Sequence, residues 1–208
     1  MSFNTLIKYN LSFTAASLRP ELARIVAECY LEVGDWDLAR ARILSSNALQ
    51  CRSAGSAVRL ERELRQRLET LTLGQITLLA QATAEDRAAI AWLAACKHIL
   101  FAFEFATEVL RDKIIAHDPV LRHSDYEAYV ESKGLSHPEL AQLTPSSKIK
   151  IRQVLMRMLT EAGLLAKGGS LGMIQRPTLS PVVMRVVTAD SPSWLAAFPV
   201  PEVETPSR

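Results

Sequence analysis

The chain of 208 residues carries 24 Lys and Arg against 22 Asp and Glu, and 49% of it is hydrophobic. That balance excludes a wholly disordered chain, and the length allows a core that needs no metal or disulfide staple. Only eight glycines and 6% aromatic residues argue against a many-turned β-sandwich.

Along the chain, helical periodicity dominates. Ser17 can cap a helix opened by Leu18-Arg19-Pro20-Glu21, and Leu22, Ile25, Val26, Cys29 and Tyr30 give that helix an apolar face as far as Gly34. Asp35 or Asp37 starts a short second helix that stops near Ser45-Ser46-Asn47. A third helix spans about 53–71, with Leu60, Leu64, Leu68 and Leu71 in one stripe. Helices at about 84–96 and 99–116 hold much of the core, until His117-Asp118-Pro119 breaks the pattern.

Ser124-Asp125 opens a further helix through Val130 that Gly134 closes, and HPELAQLT holds a single helical turn. Ser146-Ser147 cap a helix that runs to Glu161, with Gly163 as terminator. Four of the eight glycines lie between Gly163 and Gly172, which predicts a β-hairpin whose tip carries Lys167. A short helix over 181–187 and an extended tail from Pro192, pinned by Trp194 and Phe198, complete the chain.

The expected fold is therefore all-α. It has a helix-turn-helix-like N-terminal part (1–72), a central helical core (73–145) and a winged-helix-like module with a Pro-rich tail (146–208). The longest apolar stretch, 88–103, is broken by Lys97 and His98 and bounded by Arg87 and Glu104. Central charges in a spanning helix cost several kcal/mol, so the stretch reads as a buried helix pair and not a membrane anchor. The N-terminus has no uninterrupted apolar run of the signal-peptide kind. The odd set Cys29, Cys51 and Cys96, with no C-x-x-C pair, fits buried thiols in a reducing cytoplasm.

Charge is distributed unevenly. Over 146–185 there are seven basic residues and one acid, Glu161, a net +6, which leaves −4 for the other 168 residues. A patch of this kind attracts polyanions, and nucleic acid above all. At about 100° per residue, Ile151, Val154, Leu155, Met158 and Ala162 form an apolar arc. Lys150, Gln153 and Arg157 lie opposite, with Lys148 and Arg152 on the flank. Such a helix can enter a major groove, and a following wing with Lys167 can touch phosphate.

The third helix repeats the pattern. Arg52, Arg59, Arg62 and Gln66 fall within about 80° of each other, opposite the leucine stripe, while Glu61, Glu63 and Glu69 dilute the charge. A solvated, salt-bridged face is the plain alternative for both helices.

No catalytic site, metal set or cofactor fingerprint emerges. KGGSLG lacks phosphate-loop spacing, and His98, His117, His123 and His137 show no ligand spacing. There is no G-x-S-x-G, and Glu104 and Glu108 read as structural carboxylates. A non-enzymatic binding protein without cofactor or small-molecule substrate is expected.

Several strings resemble the BrxA family, small accessory proteins of bacterial BREX phage-exclusion operons. They are LSFTAASLRPELARIVAECYLEVGDWDLARARIL, RLERELRQRLETLT, AEDRAAIAWLAACK, FEFATEVLRDKI, SDYEAYVESK, HPELAQLTPSSKIKIRQVLMRMLTEAGLL and WLAAFPVP. The likeness covers about residues 9–201. It implies an all-helical protein that binds double-stranded DNA and works beside other BREX components, with no catalytic residues to carry over. The DNA-contacting residues named above come from charge and helix geometry alone. A protein-interaction scaffold and an RNA-binding bundle are the rival readings.

Overall fold

The computed structural model describes residues 8–166 and 172–199. Helix α1 (Pro20–Val33) has Pro20 in its first turn, where the missing N–H costs nothing. It ends on Gly34, whose φ of 73° suits a residue without Cβ and whose N–H returns to the Tyr30 carbonyl at 2.7 Å. Its start departs from expectation, because Ser17 does not cap it. Arg19 occupies the cap position in left-handed backbone (φ 48°) with no side-chain cap of its own. Glu161 of the distant C-terminal half instead anchors the residues leading into the helix, accepting from Leu18 N (2.7 Å), Arg19 N (3.2 Å) and the Ser17 hydroxyl (2.8 Å).

Helix α2 (Trp36–Ser45) is capped by Asp35, which accepts from Leu38 N. The turn to α3 (Ala54–Leu68) is held by Asn47, whose side chain both accepts from Cys51 N (3.0 Å) and donates to Cys51 O (3.2 Å). Ser53 then caps α3. That helix stops at Leu68, and a helix absent from the sequence reading follows, α4 (Leu73–Gln81), opened by a reciprocal Thr72–Gln75 capping box.

The centre of the core is α5 (Ala84–His98), in which every residue from Ala89 to Cys96 is buried. It turns by 115° into α6 (Leu100–Glu104), a π-helical turn (Phe105–Leu110) and α7 (Arg111–Ile115). Among the described residues no single helix is long and apolar enough to cross a membrane. The two charges that interrupt the apolar run have opposite fates. Lys97 is nearly buried and binds Asp190 (2.6 Å), Gln75 Oε1 (2.9 Å) and Thr70 O (3.1 Å). His98 is half-buried, and desolvation lowers its pKa.

Strand β1 (Val120–Leu121) leads into α8 (His123–Gly134), a 3-10 turn (Pro138–Leu140) and α9 (Pro145–Glu161). Strand β2 (Gly172–Met173) pairs antiparallel with β1, Val120 facing Met173 and Leu121 facing Gly172. On its other side Leu165 bridges Ile174, backed by Ala166 N to Met173 O and Gln175 N to Leu164 O, both 2.9 Å. The expected hairpin flanks thus meet, with a third short strand beside them. The tip, 167–171, lies outside the described residues.

Helix α10 (Pro181–Asp190) follows where a short helix over 181–187 was expected, and a 3-10 stretch (Pro192–Ala197) stands where the tail was expected to be extended. The Trp92 indole N–H donates to Ala197 O at 2.9 Å, which seals the tail over α5. At the other end, the Tyr9 ring stacks on His137 (centroids 3.6 Å apart) and its hydroxyl donates to Glu104.

Candidate nucleic-acid interface

Helix α9 buries the apolar arc its spacing predicts: Ile151, Val154, Leu155, Met158 and Ala162 are all inside. Thr144, one residue before the helix, is its cap, and accepts from Ser147 N at 3.2 Å. Opposite the arc, Lys148, Lys150, Gln153 and Arg157 are exposed. Among the described residues none of these three cations has an ion-pair partner within 4.0 Å, so their charge faces solvent uncompensated. Arg152 differs. It is half-buried and donates to Glu127 of α8 at 3.3 Å. Glu161, the lone acid of this region, is spent on the Ser17–Arg19 segment and does not offset the basic face.

On the third helix, Arg59 and Arg62 are exposed and Gln66 is half-buried, while Arg52 stands exposed just before the Ser53 cap. These three arginines also lack an ion-pair partner among the described residues. The acids that sequence reading counted against this face are mostly turned away from it. Glu61 is wholly buried and Glu63 nearly so, and Glu69 is held by Arg65 at 2.5 Å. Periodicity placed the leucine stripe correctly, but the burial of two glutamates gave no signal in the sequence.

Glu61 is joined by Arg65 (2.9 Å) and more loosely by Arg40 of α2 (3.6 Å), and its second oxygen has no hydrogen-bond partner. Desolvation pushes its carboxyl upward in spite of Arg65. Glu63 pairs with Arg67 at 2.7 Å, and the other guanidinium N–H groups of Arg67 serve the carbonyls of Ser17 (2.7 Å) and Ala16 (2.8 Å). The C-terminal ends of α3 and α9 therefore meet on one linker, residues 13–19, through Arg67 and Glu161.

Lys167 lies outside the described residues. Glu104 and Glu108 are structural, as expected, both bound by Lys133 (2.7 and 2.6 Å). Among the described residues no group of three or more His, Cys, Asp or Glu could hold a metal ion.

The BrxA family model matches residues 7–191. The chain belongs to the BrxA family. A BREX protein BrxA from Escherichia coli O9:H4 is 30% identical over 141 residues, 68% of this chain and 66% of that one. The alignment thus spans just under two thirds of the E. coli protein. A second BREX protein BrxA, from Paramagnetospirillum magneticum, is 27% identical over 76% of this chain and 79% of its own. A crystal structure of an uncharacterized protein from Magnetospirillum magneticum superposes with a TM-score of 0.78, over 93% of this chain and 99% of that one. At 22% identity, this last likeness speaks to the fold alone. The superposition spans nearly all of both chains, so the overall fold is shared with that protein.

Proposed function

We propose that this BrxA-family chain is a non-enzymatic accessory protein of a BREX-type phage-defence system and acts in the cytoplasm by binding double-stranded DNA. The observation that carries the reading is the outward side of α9, where Lys148, Lys150 and Arg157 stand exposed and unpaired beside Gln153. Arg and Gln at such positions can make bidentate contacts to guanine and adenine edges, and the lysines can neutralise phosphate.

The order of elements supports it. Helix, strand β1, α8, α9 and then two strands, with β2 between β1 and the Leu165 segment, is the order of a winged helix. In that frame α9 is the recognition helix and Lys167 belongs to the wing. Helices α2 and α3 form the helix-turn-helix-like unit of the N-terminal part, and Arg52, Arg59, Arg62 and Gln66 supply a second contact. Arg152 adds charge only once Glu127 lets it go. Residues 73–145 join the two contacting parts, and other BREX proteins are the expected protein partners.

The test is a fluorescence-anisotropy titration against duplex DNA at several salt concentrations. Neutralising about five phosphates gives a log–log slope of about −4 to −5. Lys150→Glu with Arg157→Glu should abolish binding while the unfolding midpoint is kept. Salt-independent binding, or charge reversal that spares DNA binding but breaks association with another BREX protein, would overturn it in favour of a scaffold. Tighter binding to structured RNA than to duplex DNA would also overturn it, since a narrow A-form major groove excludes a helix.

A further inference from the structure

A cavity of about 280 Å³ opens between β1, α8, α9 and the small sheet, on the flank of α9 away from Lys150. Its floor is apolar, built by Leu121, Tyr126, Met156 and Leu165. Its rim carries two arginines and a histidine. Arg122 and His123 stand at the start of the twelve-residue α8, where the helix dipole also favours negative charge, and Arg152 reaches in from α9.

Tyr126 is the anomaly in this wall. The residue is 5% exposed, and its ring is packed between Phe101 and Phe105. Its hydroxyl bonds no other described residue and is not sealed inside the fold, so it is left to the cavity that Tyr126 lines. Burial raises its pKa, so the hydroxyl stays protonated and can donate. The rim side chains are only partly engaged. Arg152 gives one terminal nitrogen to Glu127 at 3.3 Å, and His123 lies 3.5 Å from the same carboxylate, which is itself more than half exposed. Arg122 gives one terminal nitrogen to Asp118 and the Val120 carbonyl. Each guanidinium keeps a free edge.

We propose that this cavity binds a small single-ring anion, a carboxylate or a phosphate monoester. The ring would lie on Leu121, Met156 and Leu165, the Tyr126 hydroxyl would donate to the ligand, and Arg122 and Arg152 would hold its charge. The volume falls just below the roughly 300 Å³ at which pockets take drug-sized ligands, which limits the occupant to about one ring and its acid group. The cavity does not rest on the DNA-binding reading, but it shares Arg152, the α9 cation that Glu127 already engages.

The experiment uses the full chain with phenyl phosphate, benzoate and uridine monophosphate as probes, and inorganic phosphate, phenol and uridine as controls. Isothermal titration and thermal unfolding read binding. At least one ring-bearing anion should bind at least tenfold tighter than its ring-only and anion-only controls. Tyr126→Phe should weaken that binding about tenfold and leave the ligand-free unfolding midpoint unchanged, because the hydroxyl bonds no other described residue. Arg152→Gln should weaken it similarly. Binding of none of the three probes, or equal binding by Tyr126→Phe and Arg152→Gln, overturns the proposal. So does an affinity matched by inorganic phosphate, which would mark the rim as a bare anion site.

Discussion

Arg67 and Glu161, the one in the last turn of α3 and the other at the end of α9, grip the same linker with opposite chemistry. Arg67 donates to the Ser17 carbonyl while Glu161 accepts from the Ser17 hydroxyl and the next two backbone N–H groups. The left-handed Arg19 persists between them because both grips over-determine it.

Removing either grip should be costly and the costs should not add. Arg67→Met leaves Glu63 buried and unpaired, a loss of about 3–5 kcal/mol. Glu161→Ala leaves the Leu18 and Arg19 N–H groups and the Ser17 hydroxyl without their acceptor, a loss of about 1–3 kcal/mol. Because both act on one segment, a double-mutant cycle in urea should give a coupling of about 0.5 kcal/mol or more. Simple additivity would show that the linker is not shared.

Glu127→Gln should release Arg152 toward DNA. The expected result is tighter duplex binding, with the log–log salt slope steeper by about one, since one more cation reaches phosphate. An unchanged slope would mean that Arg152 never faces the duplex.

Arg59→Ala with Arg62→Ala tests whether α3 shares the same duplex as α9. If it does, the slope should become shallower by about two. If affinity and slope both stay put, the N-terminal face serves another partner.

Buried Glu61 should cost the protein stability at neutral pH. Its carboxyl is pushed above 4.5 by desolvation, so the folded state holds its proton more tightly than the unfolded chain does. The associated stability is full below about pH 4.5 and drains away as pH rises through the raised value. Glu61→Gln should therefore raise the unfolding midpoint at pH 7 by about 2–4 °C, and the gain should vanish in acid. A lower midpoint for the variant at pH 7 would show that the Arg65 and Arg40 contacts outweigh burial.

His98 carries the opposite sign. Burial holds its pKa below 6.5, so the unfolded chain takes up a proton first as pH falls, and stability drops below about pH 6.5. His98→Gln should flatten the decline in unfolding midpoint between pH 7.5 and 5.5. A parallel decline in both proteins would remove His98 from the account.

The α9 interface was legible because a 3.6-residue period sorts Ile151, Leu155 and Met158 from Lys150 and Arg157 without further context. The start of α1 was not. Ser17 offers the right local chemistry for a cap, but its hydroxyl is turned to Glu161, about 140 residues on. Helix α4 was missed because LGQITLLAQ carries no charged face, although Thr72 and Gln75 three apart already spelled its capping box. Strand β1 has two residues and acquires meaning only through Gly172 and Met173. Tyr126 looked like any helix aromatic, since a missing hydrogen-bond partner is a property of the surroundings and not of the residue.

The indole of Trp92 and the carbonyl that satisfies it are 105 residues apart. During synthesis the helix with the longest buried run thus leaves the ribosome long before its final cover is made. Until Ala197 arrives that surface is open to any passing hydrophobe, so yield in the cell should depend on chaperones more than on the strength of the finished fold.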